Sequence, residues 1–150
     1  MSIIVMKFGG TSVADIDCIK NVAQKVVNQY KKNKKIVVVV SAMSGATDNL
    51  VNLTNQISEK RNLEEYDVVV SSGEQVTAGL LAMAITDLSV KSRSLMGWQI
   101  PIITDDTHYK AIIENISNTN IFTLLNNEVI VVIPGFQGVT SENRISTLGR

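Results

Sequence analysis

A three-layer α/β sandwich with a mainly parallel sheet is the fold that this 150-residue sequence predicts, and three observations carry it. Short β-branched runs alternate with longer segments whose apolar residues recur every three or four positions. The run Ile36–Val40 is β-branched throughout, the pattern of a strand covered on both faces. Hydrophobic residues make up 45% of the chain and charged residues 19%, enough apolar content for one packed core.

Taken in order, Ile3–Lys7 is apolar and branched and reads as a buried strand. Ser12 and Asp15 have the spacing of a capping box. Val13, Ile16, Ile19, Val22, Val26 and Tyr30 then trace one face of an amphipathic helix. Lys31, Lys32, Lys34 and Lys35 close it, where cations suit the helix dipole, and read as a solvated helix end. After the strand Ile36–Val40 comes a loop of small residues, Ser41–Thr47, and a helix with Leu50, Leu53 and Ile57 on one side. Val68–Val70 reads as another short buried strand, leading through Ser71-Ser72-Gly73-Glu74 into a central helix containing Leu80, Leu81, Ala84, Ile85 and Leu88. Arg93–Met96 and Ile100–Ile103 are expected as short strands, and Ala111–Asn126 as a helix weakened around Asn115–Asn120. Glu128–Ile133 is a further strand, closed by Pro134-Gly135-Phe136-Gln137-Gly138, and Val139–Leu148 is expected to form a hairpin.

Charge and composition narrow the function classes. Basic and acidic residues balance at 14 each, so no net field favours nucleic acid or an acidic membrane. Cys18 is the only cysteine and His108 the only histidine, which argues against an intrachain disulfide and a Cys/His zinc site. The N-terminus lacks a basic signal region, and no apolar run is long enough to span a bilayer, so a soluble, cytoplasmic protein is expected.

The chemistry concentrates in the loops. In parallel sheets ligands bind at the carboxyl ends of the strands. Lys7-Phe8-Gly9-Gly10, Ser41–Thr47 and Ser71–Glu74 all follow expected strands. Glycines let backbone approach an anion, a helix N-terminus offers free N–H groups, and a lysine neutralises phosphoryl charge. Lys7 precedes its glycines, so the segment matches neither the P-loop nor the dinucleotide-binding pattern. Ser41, Ser44 and Thr47 offer hydroxyls to an acceptor, and Glu74 offers a carboxylate to an ammonium group. Each feature also has a plainer explanation: a surface lysine, a glycine turn, helix caps and dipole compensation. Three such loops at successive strand ends favour phosphoryl transfer to a small amino-acid-like molecule, a reaction carried by positioning and charge neutralisation.

These residues resemble a known family. Lys7-Phe8-Gly9-Gly10-Thr11-Ser12-Val13, Ser41-Ala42-Met43-Ser44-Gly45-Ala46-Thr47, Ser72-Gly73-Glu74, Pro134-Gly135-Phe136-Gln137-Gly138 and Thr147-Leu148-Gly149-Arg150 are similar, in order, to the motifs of aspartate kinases in the amino acid kinase superfamily. The resemblance implies an amino acid kinase-like fold, with residues 1–150 as the N-terminal portion of the kinase domain. It implies transfer of a phosphoryl group from ATP, with Mg2+ held mainly through the nucleotide, to the side-chain carboxylate of L-aspartate. The product is 4-phospho-L-aspartate, on the way to lysine, diaminopimelate, methionine and threonine. Lys7 would contact the transferring phosphate, with Phe8, Gly9 and Gly10 in the same phosphate loop. Ser41, Ala42 and Thr47 would lie near the reacting carboxylate, Glu74 would hold the α-amino group, and Arg150 would pair with the α-carboxylate. A bidentate carboxylate contact suits arginine. No protein metal site is implied, and a homo-oligomer is expected.

The sequence departs from the family pattern in two ways. The family continues past T-L-G-R into G-G-S-D, a nucleotide-binding half and regulatory ACT domains, none of which lies within these residues, so the 1–150 segment alone is expected to be inactive. Leu95-Met96-Gly97-Trp98-Gln99-Ile100-Pro101 also differs from the usual G-x-Q-A-G-I. Two alternatives stay open. One is a related kinase acting on glutamate, acetylglutamate or a nucleotide monophosphate, against which Phe8, Thr11 and Ser12 argue. The other is a truncated, non-catalytic relic or interaction module, whose exposed sheet edge and apolar surface would favour self-association.

Overall fold

The computed structural model describes residues 2–149. Its central sheet consists of β1 (Ile3–Phe8), β2 (Lys35–Val40), β6 (Ile130–Pro134) and β3 (Ser92–Ser94), in that spatial order and all parallel. Strand alternation splits the core in two. Ile36, Val38 and Val40 of β2, with Ile130 and Val132 of β6, pack beneath α1 (Ile16–Tyr30) and α3 (Leu63–Asp87). Val37, Val131 and Ile133 face the opposite way, against Leu125 of α4 (Thr119–Asn126). Helices therefore cover both faces, and the mainly parallel sandwich expected from the sequence is the fold observed.

A second, mixed sheet orders β5 (Ile113–Ile116), β4 (Ile102–Thr104), β7 (Gln137–Val139) and β8 (Ile145–Thr147). The β7–β8 pair is the antiparallel hairpin expected, but its first strand begins at Gln137, in the segment read as closing the preceding strand, rather than at Val139. Gly138 sits in close contact with the neighbouring strand β4. A methyl there would lie 2.6 Å from Thr104 Cγ2 and 2.8 Å from the Ile102 carbonyl oxygen. Gly138→Ala is expected to cost about 1–3 kcal/mol, read as a lower urea midpoint; an unchanged midpoint would contradict this packing.

Several local expectations are corrected. β1 is an edge strand: Ile4, Met6 and Phe8 turn to the core, while Val5 is 66% exposed on the other face. The cap of α1 is Asp15, not Ser12. The Asp15 side chain accepts the Cys18 amide at 2.8 Å, and that bond holds its carboxyl below the usual value. Residues 111–126 are not one helix. The branched residues Ile113 and Ile116 pair with β4, and α4 begins only at Thr119. The helix α2 (Ala46–Ile57) forms as expected, but Leu53 and Ile57 point outward, Ile57 being 89% exposed.

The largest correction concerns α3. Val68–Val70 is not a strand but the second turn of a 25-residue helix. Asn62 caps that helix through the Glu64 and Glu65 amides, and the two acidic residues suit its first turn. β-branched residues lower helix propensity by only tenths of a kcal/mol each, too little to override a capped, packed helix. Its buried stripe includes Tyr66, Val70, Ala78, Leu81 and Ile85, but also Asp67, Ser71, Glu74 and Thr77. Those polar letters mask the helical period in the sequence. The hydroxyls of Ser71, Ser72 and Thr77 donate back to helix carbonyls. By length and composition α3 could cross a membrane, the one exception to the expectation above among the described residues. It is instead the central core helix, packed between α1, α2 and the sheets.

Candidate active site

The registers of β1, β2 and β6 bring their carboxyl ends level, with Phe8 beside Val40 and Val40 beside Pro134. Backbone bonds continue past the strands: the Ser41 amide donates to the Phe8 carbonyl (3.1 Å), and the Gly135 amide to the Val40 carbonyl (2.9 Å). The loops that follow thus start from one rigid edge. Between them lies a cleft of about 640 Å³, within the range of small-molecule sites.

Lys7, Gly10, Ser41, Ala42, Thr47 and Glu74 all line this cleft. Gly10 belongs at the contact between its floor segments, since a Cβ there would sit 3.4 Å from the Ala42 carbonyl oxygen. Of the other expected site residues, Phe8 turns its side chain to the core beneath α1, and Gly9 spends its carbonyl on the Ser12 amide at 2.9 Å. Neither is among the lining residues. Arg150 lies outside the described residues.

Glu74 reaches the cleft by a route the sequence reading did not anticipate. It follows no strand; it projects sideways from the middle of α3 and is only 5% exposed. Its Oε1 accepts the Ala42 amide at 3.3 Å. The neighbouring Gly73 allows this approach, because a Cβ there would come within 3.0 Å of the Ala42 Cβ. A buried carboxylate therefore faces the same space as the Lys7 ammonium, which makes no ion pair with any described residue.

The helix terminus at the site also differs from the expected one. α1 begins at Ile16, beyond the glycines, and the Asp15 carboxylate closes its end. The terminus that borders the cleft is that of α2. Gly45 occupies its N-cap position in the left-handed conformation (φ 74°), where glycine carries no Cβ penalty, and no side chain caps it. Gly45, Thr47 and Asp48 line the cleft there. The Ala46 amide donates to the Met43 carbonyl at 3.1 Å, and the Asp48 carboxylate in the first turn offsets part of the dipole; the amides of Thr47 and Asp48 and the remaining positive end are what an anion could use. Among the described residues, no group of three or more His, Cys, Asp or Glu side chains is placed to hold a metal ion.

The far wall was less visible in the sequence. Phe136, with φ 69°, and Leu148 and Gly149, just after β8, complete the cleft. Pro134-Gly135 signals a turn, but no residue pattern announces that Phe136 adopts a left-handed backbone.

The architecture defines an open α/β domain with a polar ligand cleft at the carboxyl ends of its parallel strands. The family model described as "Amino acid kinase family" matches residues 2–150. The chain belongs to the amino acid kinase family. It is 46% identical over 153 residues to the aspartokinase of Rickettsia conorii, an alignment that takes in 100% of this chain and 38% of that protein. The crystal structure of aspartate kinase from Synechocystis superimposes with a TM-score of 0.80 at 38% identity, covering 99% of this chain and 24% of that one. Aspartokinase III of E. coli, solved in complex with aspartate and ADP, shares the fold at a TM-score of 0.83 and 21% identity, over 100% of this chain and 44% of that one. The chain spans little more than a third of the length of the Rickettsia relative it matches.

Proposed function

We infer that this chain forms the acceptor side and part of the phosphate side of an ATP-dependent aspartate kinase. One observation carries the reading: a lysine and a buried carboxylate face a single cleft across the Ser41–Thr47 loop. Aspartate presents two carboxylates and one ammonium group. Glu74 attracts the ammonium and repels the carboxylates, which orients the molecule. Ser41, Ala42 and Thr47 stand beside the side-chain carboxylate, and Arg150 pairs with the α-carboxylate.

The acceptor is already an anion, so no base is needed. A side-chain carboxylate oxygen attacks the γ-phosphorus of ATP, the bond from that phosphorus to the bridging oxygen breaks, and ADP leaves with the electron pair. Lys7 and the N-terminus of α2 balance the negative charge that spreads over the phosphoryl oxygens. Mg2+ would be held mainly through the nucleotide's phosphates rather than by these residues, and would supply charge neutralisation there, as suits an ion that keeps its waters and takes few protein carboxylates. These 150 residues match only 38% of the Rickettsia relative, and the proposal assigns the adenine and ribose contacts to the part of such an enzyme that they do not match. The names of the aspartokinase relatives support this reading, as does the aspartate and ADP bound by the E. coli enzyme. A cytoplasmic, homo-oligomeric enzyme opening the route to lysine, methionine and threonine is part of the same proposal.

The test compares acceptors. The full polypeptide containing this segment, given MgATP, is expected to turn over aspartate about a hundredfold faster than glutamate, the upper scale for discriminating one extra methylene, and faster still than the bulkier acetylglutamate. Preference for either alternative would replace aspartate as the substrate. Turnover of none would favour a non-catalytic chain.

A further inference from the structure

The transfer chemistry makes no use of Asp67, although its side chain is wholly buried in α3. Its carboxylate gathers donors from two distant segments. Oδ1 accepts the Thr147 hydroxyl at 2.6 Å and the Tyr109 amide at 3.2 Å. Oδ2 accepts the Thr147 amide at 3.0 Å and the Tyr109 amide at 3.1 Å, and lies 2.8 Å from His108 Nδ1. A carboxylate has only about four lone-pair sites, so this one is saturated. Burying such a group is strongly unfavourable unless it is matched this fully.

The two donor segments lead directly to the cleft. Thr147 ends β8, and the next residues, Leu148 and Gly149, line the cleft wall. Tyr109 takes a left-handed backbone (φ 71°) and, with Lys110, Tyr66, Thr47, Phe136 and Leu148, encloses a side chamber of about 150 Å³. Thr47, Phe136 and Leu148 border both spaces. Two backbone bonds lock the segments together: Ala111 amide to Thr147 carbonyl (2.9 Å) and Leu148 amide to Phe136 carbonyl (2.8 Å).

We propose that Asp67 is a positioning residue of the acceptor cleft. Through Thr147 and the Tyr109 amide it sets where the Leu148–Gly149 wall and the Tyr109–Lys110 segment stand, and so tunes acceptor affinity without touching the acceptor. The proposal rests on the acceptor reading above. The decisive variant is Thr147→Val in the full polypeptide, which deletes one bond to Asp67 but preserves side-chain shape. The acceptor KM is expected to rise about tenfold, the size of one hydrogen bond to a charged group, while the KM for MgATP stays within about twofold. Thr147→Ser, which keeps the hydroxyl, should restore the acceptor KM. Asp67→Asn should give a larger change in the same direction, or fail to fold, in which case the Thr147 pair decides.

An unchanged acceptor KM in folded Thr147→Val would overturn the proposal. So would a parallel rise in both KM values together with a fall in Tm, or a serine variant that fails to rescue. If the unaltered enzyme prefers an acceptor other than aspartate, the substrate assignment falls, and the Thr147 comparison is made with the acceptor it does use.

Discussion

Lys7→Ala in the full polypeptide is expected to lower kcat by about two to three orders of magnitude, with a much smaller change in the KM for aspartate. That magnitude is typical of losing one preorganised group aimed at charge that develops in the transition state. The location of Lys7 explains the asymmetry. It sits at the carboxyl end of β1, on the face away from the α1 core, held in register by β2. It makes no ion pair with any described residue, so its ammonium is available to an incoming phosphoryl group. Lys7→Arg keeps the charge but broadens and lengthens the cation, and should recover only part of the loss. Steady-state kinetics with saturating MgATP measure both. A Lys7→Ala enzyme with near-normal kcat would remove lysine from the transfer step.

Glu74→Gln should produce the opposite signature: an aspartate KM raised about 10- to 100-fold, from losing a hydrogen-bonded charge contact of about 1.5–3 kcal/mol, with kcat less affected. Glutamine preserves the shape and can still accept the Ala42 amide, so the loop between β2 and α2 should hold its position. What it lacks is the negative charge that the proposal sets opposite the acceptor's ammonium group. Glu74→Ala would remove that charge and also the acceptor for the Ala42 amide, and should cost stability as well. A change in the KM for MgATP with no change for aspartate would place Glu74 on the nucleotide side instead.

The sequence announced the parts of this fold that rest on unmixed patterns. β2 is branched from end to end of its core stretch, and α1 carries an uninterrupted apolar face, so both were legible. β1 was half legible: its composition marks a strand, but nothing in the letters says that no strand pairs with its outer edge. α3 was misread because the helix buries Asp67, Ser71, Glu74 and Thr77 among its apolar residues. Local periodicity cannot show that the two carboxylates will be satisfied by partners from residues 42, 109 and 147, and the two hydroxyls by the helix's own carbonyls. β5 was hidden for a related reason, since its pairing with β4 is decided by tertiary contact.

The candidate site followed the same division. Loops after β1 and β2 were readable because glycine, lysine and small hydroxyl residues at strand ends have few other uses together. The convergence of Lys7 and Glu74 was expected, though by a different route, with the carboxylate arriving from the flank of a helix. That α2 rather than α1 has no side-chain cap depended on one competition: Asp15 caps its own helix, and Gly45 has no side chain with which to do so.

The most direct test of the account is identification of the phosphorylated product. The full polypeptide, incubated with MgATP and aspartate and then trapped with hydroxylamine, should yield the hydroxamate of the aspartate side-chain carboxyl in step with ADP release, and the 1–150 segment alone should yield little or none. ADP release without aspartyl hydroxamate, or hydroxamate formed from glutamate in preference, would contradict the assignment of this cleft to aspartate.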